Sequence, residues 1–366
     1  MIMEHGPLRV NIVDPQESGI RAGLLERGAH GFSLTVLEDR APRENDFYIS
    51  PPWIDSHCHV CHGITSFGLR PDSVGWRQGV HLLVDAGSAG EETVPGFRDY
   101  VLPCCRTKVL AFLNISSIGL VTMQECFDMR KLDPGKTAAC IRAYPGFLLG
   151  VKVRSSDVIV EGKGTAPLKR AVAAAEKAEC PIMIHMGENP PSNEENLALL
   201  RSGDVLSHCF HGKETPLWTS GGEPVPALRE ALERGVVLDV AHGAASFSQR
   251  VAAAAIAKGY RDFIISTDLH GRNICGPVYS LSHTMSKFLA LGLELREVIR
   301  AVTVKPARTF GLKAWGDCLT ENCTLFKLRE RRESDPPFMD STGEPINVSK
   351  VIEPAAVIMD GELMEW

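Results

Sequence analysis

The feature that most constrains the fold of this chain is a unit that recurs along it, a short apolar run followed by a segment of helical spacing. Most of the apolar runs are continuous rather than alternating, which is typical of parallel strands that are buried on both faces. The eight candidate strands are residues 53–59, 80–88, 107–115, 147–153, 181–187, 204–209, 235–243 and 262–268. Because parallel strands need crossover helices, eight such units favour an α/β fold, a (β/α)8 TIM barrel.

The two ends of the chain have a different pattern, with Pro and Gly residues between short β-like pieces. We expect residues 1–50 and 313–366 to meet as one small β-sandwich-like domain. Residues 51–312 are then the (β/α)8 barrel.

Composition argues against several classes of partner. A net charge of −6 without a long basic run argues against nucleic acid, because phosphate binding needs clustered Lys and Arg. The purest apolar run, residues 251–257, is far shorter than the ~20 residues that span a bilayer, so we expect no membrane partner. The eleven cysteines are scattered, and residues 1–10 carry charge where a secretory signal has an apolar core. We therefore expect free thiols in a cytoplasmic protein.

Ionisable residues interrupt the apolar strands at matching places, near the carboxyl end of each run. They are Lys152, His185, His208, His242 and Asp268, and consecutive members are 23 to 34 residues apart. Each gap matches the length of one strand–helix unit, so all five are expected at the same rim of the barrel. That rim, at the carboxyl ends of the strands, is where such barrels carry their active sites.

The first candidate strand adds two imidazoles, His57 and His59, which lie two residues apart and so point to the same side. Each rim residue taken singly has a structural explanation, such as a hydrogen-bonded core His, a snorkelling Lys or a helix-capping Asp. Burying all of them in one ring without an ion would leave many unpaired polar groups. Imidazole and carboxylate suit zinc and related divalent ions, so the ring predicts a metal site. Lys152 can contribute only if it is neutral and carboxylated by carbon dioxide, because an ammonium has no lone pair to donate.

This set of residues resembles the amidohydrolase superfamily of binuclear metal hydrolases. The matching residues are His57, Cys58 and His59 on the first strand, Lys152 on the fourth, His185 and His208 on the fifth and sixth, and Asp268 on the eighth. Three segments, 150–156, 207–212 and 242–247, are similar to the dihydroorotase-related amidohydrolase/deacetylase subgroup.

The resemblance implies two divalent metal ions, with zinc as the expected metal, bridged by an N-carboxylated Lys152. The same resemblance assigns His57, His59 and Asp268 to the more buried ion, and His185 and His208 to the other. It further implies that a metal-bridging hydroxide attacks a carbonyl carbon, while Asp268 takes up a proton and returns it to the leaving group.

Several residues near the rim have roles that the sequence leaves open. His211 is an alternative metal ligand to His208, which we favour because it follows its strand directly. Arg154 lies two residues past the bridging lysine and faces the same side. It could hold a substrate carboxylate by a two-pronged contact or form a salt bridge at the rim. His242 and His270 are candidates for substrate contact.

The leading functional hypothesis is hydrolysis of an amide or ester bond in a small carboxylate-bearing molecule, as by a deacetylase or deacylase. The alternative is a cyclic amide or imide hydrolase, similar to a dihydroorotase or hydantoinase. A mononuclear deaminase would leave Lys152 free, and a non-catalytic barrel scaffold would be expected to lose metal ligands. The expected partner is a small-molecule substrate, and the apolar helices are compatible with a homo-oligomer.

Overall fold

The computed structural model of the protein describes residues 2–3, 6–29, 31–312, 315 and 319–366. The strands in these ranges are β1 (Leu8–Val13), β2 (Ile20–Gly28), β3 (Gly31–Val36), β4 (Phe47–Ser50), β5 (Trp53–Cys58), β6 (Val80–Ala86), β7 (Lys108–Asn114), β8 (Leu148–Ser155), β9 (Ile182–Met186), β10 (Val205–Ser207), β11 (Val237–Asp239), β12 (Phe263–Ile264), β13 (Cys323–Glu330), β14 (Lys350–Met359) and β15 (Glu362–Glu365). The α-helices are α1 (Pro71–Val74), α2 (Val94–Gly96), α3 (Pro134–Ala143), α4 (Asp157–Val160), α5 (Ala166–Ala178), α6 (Asn193–Leu197), α7 (Pro226–Glu233), α8 (Gln249–Ala257), α9 (Leu281–Ala290), α10 (Leu295–Val302) and α11 (Val304–Thr309). None of the helices in the described ranges is long and apolar enough to cross a membrane.

The central element is a barrel in which strands β5 to β12 lie side by side in chain order, each parallel to its neighbour. The barrel closes through a parallel bridge between Cys58, at the end of β5, and Leu269, which lies five residues past the end of β12. The His59 backbone N–H donates to the Leu269 carbonyl at 2.9 Å, and the Asp268 N–H donates to the His57 carbonyl at 2.6 Å. This arrangement confirms the predicted (β/α)8 barrel, whose continuous apolar strands are buried as parallel strands require.

The later barrel strands end earlier than their apolar runs predict. Strand β12 covers only Phe263–Ile264, and β10 ends at Ser207, so that Asp268 and His208 both lie beyond the ladder. Both residues have left-handed backbones, with φ of 51° for Asp268 and 63° for His208. A positive φ is uncommon for residues other than glycine, although Asp and His adopt it more often than most. The chain therefore turns sharply at these residues, immediately above the barrel.

A second sheet joins the two ends of the chain. Its order is β15-β14-β13-β4-β1-β2-β3, where β1 and β4 are parallel and the other pairs are antiparallel. Val10, Ile12 and Leu25 from the first segment pack with Leu325 and Ile358 from the last. This sheet confirms the small β-domain built from both termini. The exact division into 1–50 plus 313–366 and 51–312 stays a prediction, because residues 313 and 314 lie outside the described residues.

Candidate metal centre

The rim residues come together in one cavity of about 190 Å³ at the carboxyl ends of the barrel strands. The predicted site residues that line it are His57, His59, Lys152, Arg154, His185, His208, Asp268 and His270. They come from five strand ends that are separated by as many as 213 positions in sequence, counted from 57 to 270. The tertiary fold thus gathers side chains that the sequence could relate only by their spacing.

Ligand-type atoms converge within this cavity. The Asp268 Oδ1 atom lies 3.1 Å from His59 Nε2 and 3.7 Å from His57 Nε2. One donor atom each from His57, His208 and Asp268 all lie within 4.8 Å of one another. The His185 ring packs edge-on against the His208 ring, with centroids 4.4 Å apart. Such a set of imidazole and carboxylate donors fits a divalent metal ion.

Hydrogen bonds to the outer ring nitrogens orient these imidazoles. The His57 Nδ1–H donates to Asp239 Oδ2 at 2.9 Å, and the His208 Nδ1–H donates to the Ala241 carbonyl at 2.7 Å. Because an ionised carboxylate and a carbonyl can only accept, the proton is on Nδ1 in both rings and the Nε2 lone pair faces the cavity. His57 and His208 therefore have the arrangement in which histidine binds a metal ion. His59 Nδ1 lies 2.8 Å from Ser88 Oγ, and its Nε2 is the atom next to Asp268.

Burial keeps the imidazoles of His57, His185 and His208 neutral, as metal ligands must be. It lowers the pKa of His208 to about 3 and the pKa values of His57 and His185 well below their ordinary value. Burial alone would raise the pKa of Asp268, but the hydrogen bond with His59 and the neighbouring imidazoles hold that pKa well below its usual range. At neutral pH the cavity therefore contains the Asp268 carboxylate together with the neutral rings of His57, His185 and His208.

Lys152 is fully enclosed beside this cluster. Only 1% of the residue is exposed, and its Nζ atom lies 3.3 Å from His57 Nε2. Burial lowers the pKa of the Lys152 ammonium to about 8. In the parallel register, Lys152 is paired with Asn114 on one side and Met183 on the other, so it lies in the middle of the sheet. The Lys152 amine is thus held at the edge of the cavity, in contact with His57.

Comparison with known proteins identifies the family. No protein-family model matches the chain. A curated deacetylase from Brucella anthropi and another from Agrobacterium fabrum are each 37% identical to it over 318 residues, which is 86% of this chain and 79% and 78% of theirs. A solved structure described as a dihydroorotase has 34% identity and a TM-score of 0.82, covering 99% of this chain and 98% of its own. Another, described as an adenine deaminase, has 30% identity and a TM-score of 0.86, covering 98% and 99%.

The chain belongs to the amidohydrolase superfamily. The predicted resemblance, including the deacetylase- and dihydroorotase-related subgroup, is therefore confirmed. The protein is a metal-dependent hydrolase, which removes the non-catalytic scaffold from the functional hypotheses.

Two of the residues considered from the sequence do not line the cavity of this amidohydrolase. His211 is buried with its Nδ1 accepting from the Lys213 N–H at 3.3 Å, and its Nε2 has no hydrogen-bond partner among the described residues. His242 is turned toward Lys287, whose Nζ donates to His242 Nε2 at 2.8 Å. The structure therefore places His208 rather than His211 at the cavity, and it gives His242 a contact with a lysine rather than with the cavity.

Some cavity residues were missed by sequence reasoning. Phe67, Leu120, Met123 and Arg272 all line the cavity, and all lie in the connections that follow barrel strands, Leu120 within a short 3-10 turn. Loop position alone marks a residue as close to the rim, but it does not say which way a side chain points.

The carboxylate that orients His57 was also missed, although the sequence contains a signal for it. Asp239 is the last residue of β11 and lies within the second-last apolar run, residues 235–243. It is fully buried, accepts from Ser207 Oγ at 3.2 Å and also bonds with Ser266 Oγ. Burial raises the pKa of Asp239. An acidic residue inside an otherwise apolar strand is the pattern that would have drawn attention to it.

Proposed function

We propose that this amidohydrolase removes an acyl group from a small carboxylate-bearing compound, cleaving an amide or ester bond with two divalent ions, zinc being the proposed metal. The observation that carries the proposal is the convergence of neutral imidazole nitrogens and the Asp268 carboxylate beside the buried Lys152. The names of the curated relatives support deacylation. In this proposal His57, His59 and Asp268 hold one ion, His185 and His208 hold the other, and Lys152 lies between them.

N-carboxylation of Lys152 is part of the same proposal. Burial disfavours the charged ammonium of Lys152 more than the charges of Asp268 and Asp239 favour it, so its pKa is lowered to about 8 and the neutral amine is accessible. The neutral amine adds to carbon dioxide and loses a proton, which yields a carbamate with two oxygens and one negative charge. A carbamate at Lys152 would supply anionic oxygen donors to divalent ions held by the neighbouring histidines and Asp268.

The cavity residues have separate roles in the proposed reaction. Two divalent ions bound here would lower the pKa of a water molecule and polarise the scissile carbonyl. Asp268, ionised and 15% exposed toward the cavity, accepts a proton and returns it to the leaving group. Arg154 lies at the cavity wall, where a guanidinium suits the substrate carboxylate. Phe67, Leu120 and Met123 supply apolar surface that excludes water.

A cyclic amide hydrolase is the second candidate, because the solved relative described as a dihydroorotase is 34% identical and Arg154 would suit a cyclic carboxylate equally well. A substrate panel separates the two. Turnover of N-acetyl or O-acetyl carboxylic acids, but not of dihydroorotate or hydantoins, supports deacylation. Turnover of the cyclic compounds alone would transfer the proposal to ring opening, and turnover of adenine alone would point to a deaminase.

The setting of the enzyme is proposed on the same chemical grounds. Nine cysteines of the described residues, from Cys58 to Cys275, are free thiols, which supports a cytoplasmic location. The proposed partner is a small-molecule substrate rather than nucleic acid or a membrane, and a homo-oligomer is compatible with the proposal.

A further inference from the structure

A buried ion pair forms part of the cavity wall. Arg154, near the end of β8, lines the cavity with its side chain 11% exposed. Its Nε–H donates to Glu125 Oε1 at 2.7 Å, and its Nη2–H donates to Glu125 Oε2 at 2.6 Å. Glu125 is only 1% exposed and lies in the loop that follows β7. The two side chains therefore form a two-pronged pair of the strongest kind, largely removed from solvent.

The pair leaves one face of the guanidinium available. Arginine has five N–H groups, and a second Nη2–H of Arg154 donates to the Met123 carbonyl at 3.0 Å. Three N–H groups are thus committed to the loop, and the two on Nη1 have no protein partner among the described residues. Arg154 is also in register with His185 on β9, so it lies beside a proposed metal ligand.

Glu125 also balances charge at this position. An uncompensated guanidinium near two cations would be repelled from the cavity, and burying it alone would be costly. Paired with Glu125, Arg154 can stay at the wall and present N–H groups without adding net charge.

We propose that Glu125 is a positioning residue that sets the preference of the enzyme for carboxylates, by holding Arg154 with its Nη1 group toward the cavity. The inference rests on the proposed function, since it concerns the substrate of the same site. Glu125 itself does not touch the substrate, and its effect passes through Arg154.

The test compares an N-acetyl amino acid with its carboxamide, which has nearly the same shape but no charge. The measured quantity is the ratio of kcat/KM for the two compounds on one preparation, so that the fraction of active enzyme cancels. Wild type is expected to favour the carboxylate by about tenfold or more, chiefly through KM. Arg154→Met should bring the ratio near one, and Glu125→Gln should lower it at least several-fold. In the Arg154→Met background, Glu125→Gln should change the ratio no further.

Two further variants make the result decisive. Glu344→Gln is the matched control, because it makes the same chemical change in the exposed Arg250–Glu344 ion pair. The Arg250 Nη2 and Glu344 Oε1 atoms are 2.8 Å apart, and this variant should leave the ratio unchanged. Glu125→Asp keeps the charge but shortens the side chain, and it replaces Glu125→Gln if that variant does not fold.

The outcomes separate this inference from the proposed function. A wild-type ratio near one overturns the inference, and so does a Glu125 variant that keeps the wild-type ratio. The inference also fails if Glu125→Gln lowers the ratio further in the Arg154→Met background. Absence of turnover for every acylated compound overturns the deacylase proposal, and the inference with it.

Discussion

A buried lysine outside the proposed metal centre offers a quantitative test of the structure. Lys287, on α9, is fully buried, and its Nζ donates to His242 Nε2 and to the Pro277 carbonyl, both at 2.8 Å. Burial lowers the pKa of the Lys287 ammonium to about 7. A neutral amine has two N–H groups, which matches these two acceptors. We predict that Lys287→Met changes the pH dependence of stability.

The size of the effect follows from proton linkage. Between pH 7 and the ordinary lysine pKa of about 10.4, the unfolded chain carries a proton on Lys287 that the folded chain lacks. Because the unfolded state binds more protons, wild-type stability rises with pH there, by about 1.4 kcal/mol per unit from this group. With an unfolding entropy of about 2.1 cal/mol/K per residue, that corresponds to about 2 °C per pH unit for this chain. Below pH 7 both states are protonated and the contribution levels off.

The assay is the thermal unfolding midpoint of wild type and Lys287→Met from pH 6 to pH 10. The midpoint of the variant minus that of wild type is expected to fall steadily between pH 7 and pH 10, and to be flat below pH 7. The absolute size of this midpoint difference also includes the loss of the two Lys287 hydrogen bonds, so the test uses only its change with pH. Lys169→Met, on the exposed side of α5, controls for loss of a lysine and should show no such slope. A constant difference for Lys287→Met across the whole range would refute the reasoning.

Three further predictions concern the proposed metal centre. Lys152→Ala is expected to lose most of one metal ion per chain and nearly all activity, as elemental analysis and turnover would show; full metal content would contradict the bridging role. Asp239→Asn should weaken metal affinity by about 10- to 100-fold, because the 2.9 Å hydrogen bond that orients His57 loses its charged acceptor. Competition with a chromophoric chelator measures this, and an unchanged affinity would mean that His57 is oriented by other contacts. Gly243→Ala would place a Cβ atom 2.7 Å from Asp268 Oδ2, at a φ of 63°, so kcat should fall by about 100-fold as the carboxylate is displaced. Steady-state kinetics with the thermal midpoint as a folding check would settle it, and an unaltered kcat would show that Asp268 tolerates the shift.

Lys287 also shows how far the sequence could go in assigning rim residues. His242 follows an apolar run as the proposed ligands do, and nothing local separates it from them. In the folded chain it bonds with Lys287, which lies 45 positions later. The choice between His208 and His211 was similar, since both closely follow β10. The left-handed turn at His208 and the hydrogen bond to Ala241 decide which ring faces the cavity.

The sequence by itself determined the barrel, the small domain built from both ends and the positions of the principal rim residues. These follow from local properties, because strand periodicity places His57 and His59 on one side and each strand–helix unit returns the chain to the same rim. Only the tertiary structure decided which carboxylate orients His57, which acid holds Arg154 and which loop side chains line the cavity. Asp239 is 182 positions from His57, and Glu125 is 29 from Arg154. Such pairs form because buried polar groups must find partners, and that choice is made by packing across the whole barrel rather than by neighbours along the chain.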